Sequence, residues 1–413
     1  MKASPHVVVI GAGTLGMSSA ISLIEQGARV TVIEANAIAS GSTGRSVGVV
    51  GTQFTDPFEI LLRVHALRHF RLWEGLGLKF NHIGYLRLAR TPAQMKLFAR
   101  SVEMQKEAGL RARLYEACEL RQLVAHISAD GLEGGIFGPD NGFLDPHEMC
   151  AFLAQSLRSH GGEIRQFCKL LGVKRRGGAF TLETQKGTLD CDIVVNAAGA
   201  WAPAVAELFG QMLHIFPERH EAVVIHLDPP LDYTMPMVMD LVNGEGTGLN
   251  FRHEKRAELI AEIHKANCSG PEDPDNYNDH CDDASKEKLA ELLLERVPDL
   301  PGARLGRGWA GLYPVTADHR PLVGFIDPSE PRIVTAAGAG GYGIQLAPVI
   351  GQVAADWALH GAPVSAPGTE RLSPTPDRNI SSKAHDGGGG TDDELESRRC
   401  ESVPRILRLR SGH

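Results

Sequence analysis

His6-Val7-Val8-Val9-Ile10-Gly11-Ala12-Gly13-Thr14-Leu15-Gly16 begins the stretch that decides the fold, and Glu34 ends it. Residues 7–10 are short, wholly apolar and β-branched, the pattern of a strand buried on both faces of a parallel sheet. Residues 14–26 carry Leu15, Ala20, Leu23 and Ile24 on one face, which predicts a helix. Gly27 stands at its C-terminal end, where left-handed backbone is usual. Residues 29–34 predict a second buried strand. The GxGxxG turn therefore lies between a strand and a helix, with an acid ending the next strand. That is the context a dinucleotide site requires. Gly11 permits the tight turn, Gly13 lets the backbone approach a pyrophosphate at the helix N-terminus, and Gly16 lets helix and sheet pack closely. The whole turn, Ala12, Thr14 and Leu15 included, is the expected cofactor cradle. Glu34 is placed to accept from a ribose hydroxyl and disfavours the extra phosphate of NADP. The motif alone does not choose between FAD and NAD.

Immediately after the second strand comes Ser40-Gly41-Ser42-Thr43-Gly44-Arg45-Ser46-Val47-Gly48. Closely spaced hydroxyls and a glycine at Ser42, Thr43, Gly44 and Ser46, with Arg45 between them, suit a second line of contacts along a pyrophosphate and a ribityl arm. Glycine is abundant throughout, 46 of 413 residues, without the period of collagen. A chain 43% hydrophobic and 22% charged is a globular one. A net charge of -8 argues against a nucleic-acid partner. The seven cysteines form no CxxC pair, and no secretory leader opens the chain, so reduced thiols and a cytoplasmic setting are expected. His264, Cys268, His280 and Cys281 match no common zinc spacing, and no metal is expected.

Further along, helices are predicted at 58–76, 92–107, 117–124 and 147–160. Strands are predicted at 163–167, 170–174, 179–184 and 193–196. A second strand-rich stretch covers 213–265, with 221–226 and 249–252 clearest. A helix at 285–297, a strand-turn-strand at 307–325, a buried strand at 333–336 and a helix at about 344–360 complete the pattern. The tail from residue 366 is rich in Pro, Ser, Gly and charge, including the glycines at 387–390 and the basic end at 405–410, and is expected to be disordered.

Four stretches carry a family resemblance. They are the GxGxxG unit ending in Glu34; the GSTGRS loop; Asp192-Ile193-Val194-Val195-Asn196-Ala197-Ala198-Gly199-Ala200-Trp201; and a C-terminal pair. That pair is Trp309-Ala310-Gly311-Leu312-Tyr313-Pro314-Val315-Thr316-Ala317-Asp318 and Gly338-Ala339-Gly340-Gly341-Tyr342-Gly343. In order and spacing the chain resembles the FAD-dependent D-amino acid oxidase superfamily, in particular its glycine and sarcosine oxidase branch. The resemblance implies an α/β fold: a discontinuous Rossmann-like FAD-binding domain (1–51, 145–215 and 306–365) and an α+β substrate domain with a mixed sheet (52–144 and 216–305). It implies that Ala198, Gly199 and Trp201 pass near the adenosine. Gly338, Gly340, Gly341, Tyr342, Gly343 and Ile344 would lie along the flavin, with the following helix pointing its N-terminus at the ring's C2 carbonyl.

The chain departs from part of that family. Tyr313 stands where glycine and D-amino acid oxidases carry a carboxylate-binding arginine, and Gly341 where some carry another. These forms look more like the sarcosine oxidase β-subunit and dimethylglycine dehydrogenase branch, which oxidises secondary and tertiary amines. Arg45 stands where some members attach FAD through histidine, and Gly311 where others use cysteine, so non-covalent FAD is implied. The catalytic candidates are Arg45, Arg252, Tyr313 and Tyr342, with His220 and His253 expected to be structural. The implied reaction takes an amine or amino acid to an imine by hydride transfer to flavin N5. Its electrons would pass to O2 or to a partner redox subunit in a hetero-oligomer. The alternatives are a D-amino acid or glycine oxidase or dehydrogenase, a non-catalytic FAD-binding subunit, and a Rossmann-type NAD enzyme.

Overall fold

In the computed structural model, which describes residues 4–242, 247–264, 270–375 and 378–379, the opening stretch forms strand His6–Ile10, helix Thr14–Glu25 and strand Arg29–Ile33. His6–Ile10 is buried throughout and pairs in parallel with Arg29–Ile33 on one side and Ile193–Asn196 on the other. Ile333–Ala337 and Glu163–Arg165 extend the parallel array, and Leu322–Phe325 adds one antiparallel edge to give a six-stranded sheet. Segments distant in sequence thus share one layer. The first helix and the long helix Gly343–His360 pack against each other on this sheet. Their approach is close: a Cβ on Gly351 would sit 2.4 Å from the Ser18 carbonyl carbon.

A second sheet of eight strands runs in the order Arg304–Val315, Phe216–His226, Glu258–His264, Thr247–Lys255, Met237–Val242, Tyr85–Ala89, Gly134–Gly138, Arg113–Glu116. It is mixed, because Met237–Val242 lies parallel to Tyr85–Ala89 and the other pairs are antiparallel. Side chains alternate between its faces. One face holds Val223, Ile225, Leu249, Phe251, Leu259 and Ala261 in an apolar core with Leu289, Leu292 and Leu293 of helix Asp283–Arg296. Each buried valine, leucine, isoleucine or phenylalanine among them contributes about 1.5–3 kcal/mol. The opposite face carries His220, Asn250, Arg252, Glu262, Trp309 and Tyr313, and it covers the Ser42–Arg45 turn. The fold is α/β with mixed sheets.

Three local expectations are corrected. Residues 117–124 form a 3-10 turn at Ala117–Gln122, where Glu116 N–H donates to Glu119 Oε2 at 2.9 Å. The strand expected over 163–167 stops at Arg165, because Phe167 has φ 51° and cannot continue it. The ordered fold continues past residue 365. Ala366 and Leu372 are fully buried, and Thr369–Leu372 is a 3-10 turn. Buried Asp356 accepts from the N–H groups of Val364 and Ser365 at 2.9 and 2.7 Å. Arg378 donates to Asp318 at 2.8 Å and to the carbonyls of Arg371, Ser373 and Pro321. Composition hid this segment because backbone hydrogen bonds hold much of it. The rest of the tail, with 387–390 and 405–410, lies outside the described residues, as does Cys268. Among the described residues no three His, Cys, Asp or Glu side chains gather as a metal site, and no helix is long and apolar enough to cross a membrane. Cys118, Cys150, Cys168, Cys191 and Cys281 are free thiols.

Candidate active site

Four parallel strands end at one crevice. Ile10–Gly11, Ile33–Asn36, Ala197–Gly199 and Ala339–Gly341 all line a cavity of about 710 Å³. Ligands bind at such carboxyl ends. Between the ends of the second strand and Ile333–Ala337 lie three inter-strand steps, or about 14 Å.

The glycines of the cradle differ in what constrains them. Gly11 has φ +106°, and a Cβ there would lie 2.6 Å from the Ala197 carbonyl oxygen. A Cβ on Gly16 would lie 1.9 Å from the Gly11 oxygen, so the helix meets the turn without room for any side chain. At Gly13 a Cβ would meet only Thr43, at 3.0 Å from Oγ1; the remaining space belongs to the cavity. Thr14 N–H donates to Thr43 Oγ1 at 3.2 Å, which joins the GxGxxG turn to the second loop. Ser42 Oγ is buried there with no partner in the protein. Glu34 accepts from Ala12 N–H at 2.7 Å and from Asn36 N–H at 2.9 Å, fixing its carboxylate beside the turn.

At the other end, Gly340, Gly341, Gly343 and Ile344 line the cavity opposite Leu312, Tyr313 and Pro314. A Cβ on Gly341 would lie 2.5 Å from the Tyr313 ring, so the glycine there is required by the tyrosine. Helix Gly343–His360 starts with no side-chain cap, which leaves its first N–H groups and positive dipole end for a ligand. An open glycine cradle, an unpartnered hydroxyl, an acid at the ribose position and an uncapped helix start fit a flavin dinucleotide.

Gly11, Gly13, Thr14, Leu15, Glu34, Ser42, Thr43 and Ser46 line this cavity, as do Ala198, Gly199 and Trp201. Ala12, Gly16, Gly44 and Gly338 do not; they shape the backbone behind it. No sequence motif points to Cys168, Lys169 and Gln185, which line the Glu34 side, or to Asp275, which accepts from Trp201 Nε1 at 2.8 Å. These come from strands and loops whose position depends on tertiary pairing alone.

Of the catalytic candidates, the structure brings Tyr313 to the cavity and sets the other three apart. Arg45 donates from Nη1 to the Ser40 carbonyl at 2.6 Å, and its Nη2 lies 3.6 Å from Asp279. It lies off the large cavity and lines a small recess beside Tyr313. Arg252 is buried and saturated: Nε and Nη2 donate to the Val47 carbonyl at 3.0 and 2.7 Å, and Nη1 reaches Glu254 at 2.6 Å. Burial pulls its pKa below the usual arginine value, against Glu254. It is a clamp on the second loop and neither a carboxylate ligand nor an exposed strand end. Tyr342 packs edge-on against Phe54, ring centroids 5.6 Å apart, outside the cavity lining. Tyr313 stacks on His220, centroids 3.8 Å apart at 17°. His253 Nδ1 accepts from Met235 N–H at 3.0 Å.

A small recess of about 20 Å³ shares Ser42, Ser46, Leu312 and Tyr313 with the large cavity and is closed by His220 and Glu262. Burial pushes the Glu262 carboxyl above the usual carboxylate range, opposed by Asn250, His220 and Arg252. Burial likewise raises the pKa of the Tyr85 phenol nearby.

The strand-end crevice and its two glycine loops define a dinucleotide-binding protein of flavin type. The chain belongs to the FAD dependent oxidoreductase (DAO) family, whose profile matches residues 6–357, and FAD is its cofactor. It is 29% identical over 408 residues to bovine (Bos taurus) FAD-dependent oxidoreductase domain-containing protein 1, covering 86% of this chain and 81% of that one. It is 26% identical over 388 residues to mouse (Mus musculus) mitochondrial dimethylglycine dehydrogenase, covering 88% of this chain but 43% of that longer protein. The L-proline dehydrogenase of P. horikoshii superposes with a TM-score of 0.80 at 26% identity, over 90% of this chain and 97% of the other.

Proposed function

We propose that this chain oxidises the C–N bond of a secondary or tertiary amine, sarcosine-, proline- or opine-like, to an imine. FAD supplies the hydride acceptor for the carbon next to nitrogen. The observation that carries the reading is the junction of Gly341, Tyr313 and the uncapped helix start, over which the polar face of the eight-stranded sheet closes. Dehydrogenases of dimethylglycine and L-proline among the similar proteins support an amine donor. Gly11, Gly13, Thr14, Ser42 and Thr43 would hold the pyrophosphate, Glu34 the ribose, and Gly340–Ile344 the ring. The sheet face excludes water and orients the amine. FAD is held without a covalent bond, and the reduced flavin passes its electrons to O2 or to a partner redox subunit.

Anaerobic mixing with a panel of sarcosine, dimethylglycine, L-proline, an opine, glycine and D-alanine tests the reading. The N-alkyl and cyclic amines should bleach the flavin band near ~450 nm faster than glycine or D-alanine, and NADH should leave it unchanged. A flavin that no amine reduces overturns the enzyme reading in favour of a non-catalytic FAD-binding subunit. Acid precipitation should release all FAD into solution; retention on the protein overturns non-covalent binding.

A further inference from the structure

The recess beside Tyr313 holds an acid that cofactor binding does not use. Glu262 sits in mid-strand, directly opposite Ala222 on one neighbour and Asn250 on the other. Asn250 Nδ2 donates to Glu262 Oε1 at 3.1 Å. That bond holds the Glu262 carboxyl in place in the sheet. Asn250 is 4% exposed, and its Oδ1 is left buried with no partner in the protein. A buried acceptor without a donor is costly. The nearby cations are committed elsewhere: Arg252 to Val47 and Glu254, Arg45 to Ser40.

We propose that Glu262, held in place by Asn250, forms the site for the substrate nitrogen, and that it takes the protonated amine. This rests on the amine reading above. A recess of about 20 Å³ has room for roughly one water-sized group, so it receives a nitrogen head while the rest of the substrate stays in the large cavity. Glu262 is the residue of this pair that lines the recess, and its carboxylate accepts an N–H of the ammonium there. Glu262 then takes one proton. The N–H bond breaks, an O–H bond forms on the carboxylate, the electron pair stays on nitrogen, and nothing is oxidised or reduced in this step. The neutral amine is the form able to give up hydride. The raised carboxyl pKa suits a group that must hold that proton.

The test is Glu262→Gln, which keeps an acceptor for Asn250 Nδ2 and should keep full FAD content. Ammonium chloride, which cannot be oxidised as an amine donor, is titrated into the FAD-loaded protein against sodium chloride at equal ionic strength, and the flavin spectrum is followed. The wild type should show a saturable change specific to ammonium, and the variant should bind it about 10- to 100-fold more weakly. In the wild type, affinity should fall as pH drops through the raised Glu262 titration. The variant should lose that dependence; the titratable and charged groups facing Glu262 are His220, Arg252 and Tyr85. Glu262→Asp, which keeps the charge, should recover part of the affinity. No ammonium-specific change in the wild type, or equal affinity in Glu262→Gln, overturns the nitrogen site. A wild type that binds ammonium while no amine reduces its flavin keeps the cation site and sinks the amine reading.

Discussion

The two walls of the cavity are built by different means. The wall at the strand ends is backbone: Gly11, Gly13, Gly16, Gly340 and Gly341 lie where a side chain would strike a carbonyl, a ring or the cofactor space. The facing side is side chain: Tyr313 lines the cavity and, with His220 and Glu262, the recess that adjoins it, the three standing on three different strands of one sheet. The first wall can change little without losing the dinucleotide. The second can change its chemistry one residue at a time while its apolar underside keeps the sheet intact. The features that fit the family's cofactor lie in the first wall.

Substitutions on each wall can break that contrast. Gly13→Val puts a branched side chain into the pyrophosphate space, and FAD affinity should fall by about 3 kcal/mol or more, the upper end of an overpacking cost. Flavin absorbance per protein measures it, with circular dichroism unchanged; a variant that keeps full FAD moves the cofactor out of this crevice. Arg252→Met leaves the half-buried Val47 carbonyl without its donor and should cost about 1–3 kcal/mol of stability. Urea unfolding of the holoprotein would show it; an unchanged midpoint would mean that the clamp carries no stability. Gly341→Ala, at the seam between the walls, should push Tyr313 aside. Its FAD content should stay normal while the rate of anaerobic reduction falls by about 10-fold, an effect of misplacing a group beside the reacting atoms. Loss of FAD instead would place Gly341 wholly in the cofactor wall.

The backbone wall was legible because each of its two parts is continuous in sequence and each glycine has its own local reason. Turn, cradle, helix start and acid of the first part all lie between Gly11 and Glu34, and the second part is the Gly338–Ile344 loop. The side-chain wall was not legible because no local pattern announces strand register. Glu262 meets Asn250 only through the antiparallel pairing of Thr247–Lys255 with Glu258–His264. One signal was present: in Thr247–Lys255 the even positions Asn250, Arg252 and Glu254 are polar and alternate with Leu249 and Phe251. Period 2 assigns them a common face, but it does not say that this face turns inward. Arg252 was misjudged for that reason. The segment after residue 365 was misjudged because Asp356 and Arg378, not apolar side chains, hold much of its backbone.

The clamp on the second loop couples two processes that need not have been coupled. Trp309 Nε1 donates to the Arg45 carbonyl at 2.8 Å, and Arg252 donates twice to the Val47 carbonyl, so the sheet grips the same short segment whose Ser42, Thr43 and Ser46 line the cofactor cavity. Lifting the sheet away strips that segment of its supports, and disordering that segment releases the sheet. Cofactor retention and association of the two layers are therefore linked equilibria. A ligand that binds only the closed arrangement stabilises it by about 2.7 kcal/mol at a hundredfold excess over its dissociation constant. FAD is thus a structural staple of this molecule as well as its redox centre, and removing it should expose the seam between the layers to proteases before either layer unfolds.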